Sequence, residues 1–103
     1  MKSEKGASKL LFQYEEDKTL AEVMEYIAGT YSEHYGDQNI QIQDVFDQMG
    51  ISEAFTRGAA MKYLFRFGKK DGKNRKDLFK CIHYCCLLYH YAFKPEGQKN
   101  ENH

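Results

Sequence analysis

Apolar side chains recur at helical spacing along most of the chain, and no stretch alternates as a strand would. Leu20, Val23, Met24, Ile27 and Tyr31 make the first such series. Thr19 followed by Glu22 has the form of a capping box, in which hydroxyl and carboxylate satisfy orphan N–H groups. A helix is therefore predicted from Thr19, loosening at Gly29. Gly, Asp and Asn crowd the next segment, "TYSEHYGDQNIQIQ", which reads as a loop. A short helix over 42–49 is expected to bury Val45, Phe46 and Met49 and to stop at Gly50.

Ser52 is a good N-cap for the following helix, "SEAFTRGAAMKYLFRF". Inside it Gly58, Ala59 and Ala60 form a small-residue patch. An interior glycine costs about 1 kcal/mol relative to alanine, so close approach by another helix or a ligand is expected to offset it. The last helix opens at Asn74, with Asp77 as its N3 acid, and runs to about Phe93 before Pro95 ends it. Leu78, Cys81, Ile82, Cys85, Leu88 and Ala92 line one side, and Phe79, Tyr84, Leu87, Tyr91 and Phe93 cover the others. A helix apolar nearly all round is expected to be buried nearly all round, which in so short a chain points to self-association. The expected architecture is all-α: a small bundle of three main helices and a short one, oligomeric. Residues 1–16 are expected as a mobile arm, 17–94 as the helical domain and 95–103 as a disordered tail.

Composition adds little to that picture. The chain has 103 residues, 42% apolar and 15% aromatic, which suits one small folded domain. Its opening, "MKSEKGASKLLFQYEED", holds no long apolar run, so neither a signal peptide nor a membrane span is expected. Cys81, Cys85 and Cys86 are an odd, clustered set that suits a reducing compartment better than a disulfide framework.

Charge changes the picture more. The formal net charge is zero, yet residues 1–61 hold five Lys or Arg against eleven Asp or Glu, and residues 62–80 hold eight against two. An acidic half and a basic patch suggest an anionic partner, or acid-to-base contact between subunits.

The patch centres on "KYLFRFGKKDGKNRK", Lys62 to Lys76. Gly68 to Asn74 is one residue short of a Walker loop, follows no strand, and has Asn74 where a hydroxyl would hold magnesium. It is not a P-loop. Another anion geometry stays open. Lys62 and Arg66 share a helical face that leads into Lys69 and Lys70. Lys73, Asn74 and the free N–H groups of the last helix then follow, and helix N-termini attract anions. The plainer reading is a polar turn whose lysines point into water.

Two further groups admit a functional and a structural reading. His34 and Tyr35 in "SEHY" suit stacking on a base, or simple packing. His83, Cys86 and His90 share a helical face but lack a fourth ligand, so they read as structural and no metal is expected. No G-x-S-x-G or triad setting occurs, and no catalytic residue is assigned.

"S-x-H-Y" at 32–35, then "F-T-R-G-A-A-M-K-Y-L-F-R-F-G-K-K-D-G", then "D-L-F-K-C-I-H-Y" stand in order over residues 30–92. This resembles a family of small tailed-phage proteins described as nucleotide kinases, with the pattern S-x-H-Y, G-N-x-x-K-Y-x-x-R-x-x-K, D-L-x-K-A-x-x-Y. The resemblance implies a helical protein handling nucleotides in the cytoplasm of an infected cell. It points to His34, Tyr35, Gly58, Lys62, Tyr63, Arg66, Lys69 or Lys70, Asp77, Lys80 and Tyr84. Ala59 and Cys81 depart from the family's Asn and Ala; losing the amide beside the site favours binding over catalysis.

The expected function is therefore a phage protein that binds a nucleotide or nucleotide-derived signal, cyclic ones included, and sequesters it from host defence. Lys62, Arg66, Lys69, Lys70, Lys73 and Asn74 are the expected phosphate ligands, and His34, Tyr35 and Tyr63 the expected base contacts. The alternatives are a nucleoside monophosphate kinase, which alone would need magnesium, and an interaction module that inhibits a host enzyme. The expected partners are the nucleotide and further copies of the chain, with no membrane. Long nucleic acids are disfavoured by the acidic half.

Overall fold

Helices form where the apolar spacing asks for them, but several begin and end by other means than the sequence suggested. The computed structural model describes residues 11–32 and 42–93, which are all-helical with no strand among them. In chain order the helices are α1 (Glu16–Thr30), α2 (Ile42–Gln48), α3 (Ser52–Arg66) and α4 (Arg75–Ala92). The chain divides into two compact units, Met1–Gly36 and Asp37–His103. Most of the loop expected after α1, with residues 1–10 and 94–103, lies outside the described residues.

In the first unit, α1 starts three residues before the expected capping box. Glu15 adopts a left-handed conformation, φ 61° and ψ 34°, and its N–H donates to the Phe12 carbonyl at 3.0 Å. Its own carbonyl accepts from both Lys18 and Thr19, so Thr19 is already one turn inside. The Glu16 carboxylate accepts from the Tyr14 N–H at 3.1 Å. Glu16 and Asp17 also put negative charge at the positive end of the helix dipole. α1 runs one residue past Gly29 to Thr30, whose hydroxyl donates to the Ile27 carbonyl at 2.7 Å, and the helix then widens into a π-type turn at 31–32, where the Tyr31 N–H reaches both the Ile27 and Ala28 carbonyls.

In the second unit, α2 keeps Val45 and Phe46 half-buried, leaves Met49 exposed and buries Gln43. Burial of Met49 was therefore a wrong expectation: it lies beyond the last helical turn, where the chain reverses. Gly50 takes φ 77°, its N–H donates to the Asp47 carbonyl, and the Ile51 N–H reaches back to the Phe46 carbonyl. This is the Schellman ending that glycine permits.

Ser52 does not cap α3. It is the first helical residue, it is buried, and its hydroxyl donates to the Asp47 carboxylate at 3.1 Å, tying α2 to α3. Thr56 is fully buried and donates to the Ser52 carbonyl at 2.7 Å. Together with Ala60 these give α3 a buried face of small residues, and α3 packs along α4.

Gly68 (φ 83°) and Gly72 (φ 68°) shape the connecting turn, closed by the Gly68 N–H donating to the Gly72 carbonyl at 2.8 Å. Asn74 caps α4 as expected, accepting from the Lys76 N–H at 2.8 Å. The expectation that α4 would be buried nearly all round does not hold within one chain. Only Asp77 on α4 is buried, while Cys85, Cys86, Tyr89 and His90 on it, and Phe93 just beyond it, are exposed. One neighbouring helix covers one side of another, and this unit supplies little more than that.

A candidate anion site at the α3–α4 hairpin

The hairpin carries the basic patch, and its two helices sort the cations into separate environments. Tyr63 on α3 and Tyr84 on α4 stack with ring centroids 5.9 Å apart and planes 8° from parallel. Phe55 meets Tyr84 edge-on at 6.0 Å, and Phe46 packs on Phe55 at 4.5 Å. This aromatic ladder binds α2, α3 and α4 together and fixes where the Tyr63 ring stands.

Two ammonium groups converge on that ring. Lys62 Nζ lies 4.7 Å from its centroid and Lys80 Nζ 5.3 Å from it. The two lysines belong to different helices, and Lys80 precedes Tyr84 by one turn on α4. Among the described residues neither lysine has a carboxylate partner. A cation over a half-buried tyrosine gains about 0.5–2 kcal/mol, less than a phosphate would offer two ammonium groups at once.

Arg66 stands apart from this pair. Its Nη2 lies 3.6 Å from Asp71 Oδ2 and its Nε 3.5 Å from Asp77 Oδ1. The guanidinium thus clamps the end of α3 to the turn and to the start of α4. Asp77 is 3% exposed, and neither its Oδ2 nor Arg66 Nε has a hydrogen-bond partner. The pair is held by charge at ion-pair distance rather than by well-formed hydrogen bonds.

The other expected phosphate ligands spread out. Lys69 Nζ sits 4.5 Å from the Phe65 ring centroid, and Lys70 and Lys73 are exposed on the turn. Asn74 is occupied as the α4 cap, with its side chain on the Lys76 N–H and its carbonyl on the Asp77 N–H. Of the expected set, the structure therefore brings Lys62 and Tyr63 together and turns Arg66 and Lys69 to other partners. His34 and Tyr35 lie outside the described residues. Lys80 was missed by charge spacing along α3; its place one turn before Tyr84 was the available signal, and the family resemblance also pointed to it.

Farther along α4, burial lowers the His83 pKa below its ordinary value. The Cys81 thiol is pushed up, first by burial and then by neighbouring Cys85. Among the described residues no three His, Cys, Asp or Glu side chains gather as metal ligands. No helix among them is long and apolar enough to cross a membrane.

A family model described as a protein of unknown function, DUF3310, matches residues 29–85, more than half of the chain. That span contains Lys62, Tyr63, Arg66, Asp77, Lys80 and Tyr84. No curated protein and no solved structure matches the chain.

Proposed function

The chain belongs to the DUF3310 family, and from that premise we propose that it binds a nucleotide or nucleotide-derived signal through its phosphates. One observation carries the reading: two lysines from different helices, neither paired to a carboxylate among the described residues, lean on the same tyrosine. A phosphate that engaged both ammonium groups would neutralise two like charges while gaining charge-assisted hydrogen bonds. Tyr63, already stacked on Tyr84, offers a fixed aromatic surface beside the phosphate. In this reading the protein works in the cytoplasm of a phage-infected cell, as a homo-oligomer, and holds its ligand away from host defence without transforming it.

The carboxylates of the basic segment favour binding over phosphoryl transfer. Residues 62–80 contain two acids, Asp71 and Asp77, and Arg66 engages both. A kinase needs carboxylates free to hold magnesium beside the transferred phosphoryl group, and in this segment neither is free.

The test is a thermal-shift panel of mono-, tri- and cyclic nucleotides, repeated on Lys62→Ala and Lys80→Ala. A ligand that binds only the folded state adds about 2.7 kcal/mol of stability at a hundredfold excess over its dissociation constant. A shift with at least one nucleotide, reduced in both variants, is expected, and the nucleotide should be recovered unchanged by chromatography. A new phosphorylated product with magnesium and ATP would establish the kinase instead. A flat panel from folded protein would leave the interaction module as the better reading.

A further inference from the structure

We propose that the bare face of α3 is the seam on which a second copy of this chain docks, with the two α3 helices antiparallel about a two-fold axis. The inference rests on the self-association in the reading above but not on the nucleotide. Ala54, Gly58, Met61 and Phe65 are spaced four, three and four, the spacing that keeps one stripe of a helix against a partner helix. All four are exposed, Met61 at 62% and Phe65 at 70%. The other side of α3, with Ser52, Thr56 and Ala60, is already buried in the unit.

Side-chain size selects both the partner and its direction. With the axis between Ala59 and Ala60, an antiparallel copy places its Ala54 opposite Phe65 and its Gly58 opposite Met61. Each large side chain then meets a small one, as a close-packed interface needs. A parallel pair would set Phe65 against Phe65 and Gly58 against Gly58, a clash beside a void. The stripe is thus complementary to its own reverse, which is the condition for an isologous two-fold interface.

Gly58 supplies an independent reason. A Cβ built there meets nothing within 4 Å, so nothing among the described residues explains a glycine that weakens the helix by about 1 kcal/mol. In the pair, Met61 of the second copy fills that space. The expectation that something approaches Gly58 closely is not met among the described residues of one chain and is met by the second copy. Charge agrees with the direction. Glu53 stands in the first turn of α3, while the other end leads into Lys69 and Lys70. An antiparallel copy brings its carboxylate end to the cationic end of the first.

The test is the mass of the full chain by sedimentation equilibrium over a wide concentration range, with folding followed by circular dichroism. The expected result is a dimer or a multiple of it. Gly58→Leu and Met61→Glu, both at exposed positions, should each raise the dissociation constant at least roughly tenfold while helicity is kept. Gly58→Leu should also resist urea better as a monomer than the wild type does. Should one variant unfold, the other decides. Direction is read with Cys81, Cys85 and Cys86 replaced by serine, mixing Ala54→Cys chains with Phe65→Cys chains. Disulfide-linked mixed dimers are expected, without linkage of Phe65→Cys to itself. A monomer at every concentration overturns both the seam and the self-association. A dimer untouched by the folded variants, or linked Phe65 to Phe65, overturns the seam alone and leaves the nucleotide reading as it was.

Discussion

Lys62 and Arg66 lie one turn apart on the same helix with the same charge, and the hairpin uses them in opposite ways. Arg66 stands where α3 ends, so the returning chain brings Asp71 and Asp77 to it. Its planar fork reaches both carboxylates, which a single ammonium would do poorly. Lys62, one turn earlier, lies over an aromatic ring that a second lysine also approaches. A basic run in a sequence can therefore mix charges that pair with carboxylates and hold the fold with charges that rest on an aromatic ring, and the position of the turn decides which is which.

Removing Arg66 tests the structural half and should have the largest effect. Arg66→Ala leaves the Asp77 carboxylate buried without its counter-charge. Breaking a fully buried pair costs about 3–5 kcal/mol. The Arg66 side chain is 36% exposed, so solvent screening reduces the expected loss to about 2 kcal/mol. It is read as a lower urea midpoint with an unchanged slope. Asp71→Asn, at a 55% exposed side chain, should cost no more than about 0.5 kcal/mol. A clamp that tolerates Arg66→Ala without loss would erase the distinction between the two cations.

The converse test is smaller in energy. Lys62→Ala and Lys80→Ala should each weaken nucleotide binding roughly tenfold, about 1.4 kcal/mol. Each should move the unfolding midpoint by no more than about 0.5 kcal/mol. Equilibrium dialysis with the best nucleotide of the panel gives the first number, and urea titration the second. The comparison sharpens if lysine variants lose affinity at constant stability while Arg66→Ala does the reverse.

These contrasts also show how far the sequence could be read. Helical spacing was enough to place four helices, since apolar periodicity survives whatever the neighbours do. Asn74 was legible as a cap because its interaction is local, with a partner two residues away. Thr19 and Ser52 were not. A capping motif records what a side chain can do, but the left-handed Glu15 had already started α1 upstream, and Asp47 claimed the Ser52 hydroxyl. For the site, charge density located the hairpin and the resemblance pointed to Lys80. The contact between Lys80 and Tyr63 spans two helices, so spacing along one helix gives no sign of it. The pairing of Arg66 with Asp77 is likewise a product of the chain reversal.

The smallest expected effect extends the contrast to a charge that can be switched. His83 lies beside Tyr84, with ring centroids 6.3 Å apart, and burial lowers its pKa. Burial thus favours the neutral ring. The unfolded chain takes up the proton first, near the ordinary value of about 6.5. Above that pH both states are neutral and the contribution of His83 to stability is whole. As the pH falls below it, the unfolded state binds more proton than the folded one and stability declines. The decline levels off once the folded imidazole is also protonated. Urea midpoints measured from pH 8 down to pH 5 should therefore fall, and more steeply in the wild type than in His83→Gln. Equal slopes would mean that the cost of burying the imidazolium is made up elsewhere in the folded chain.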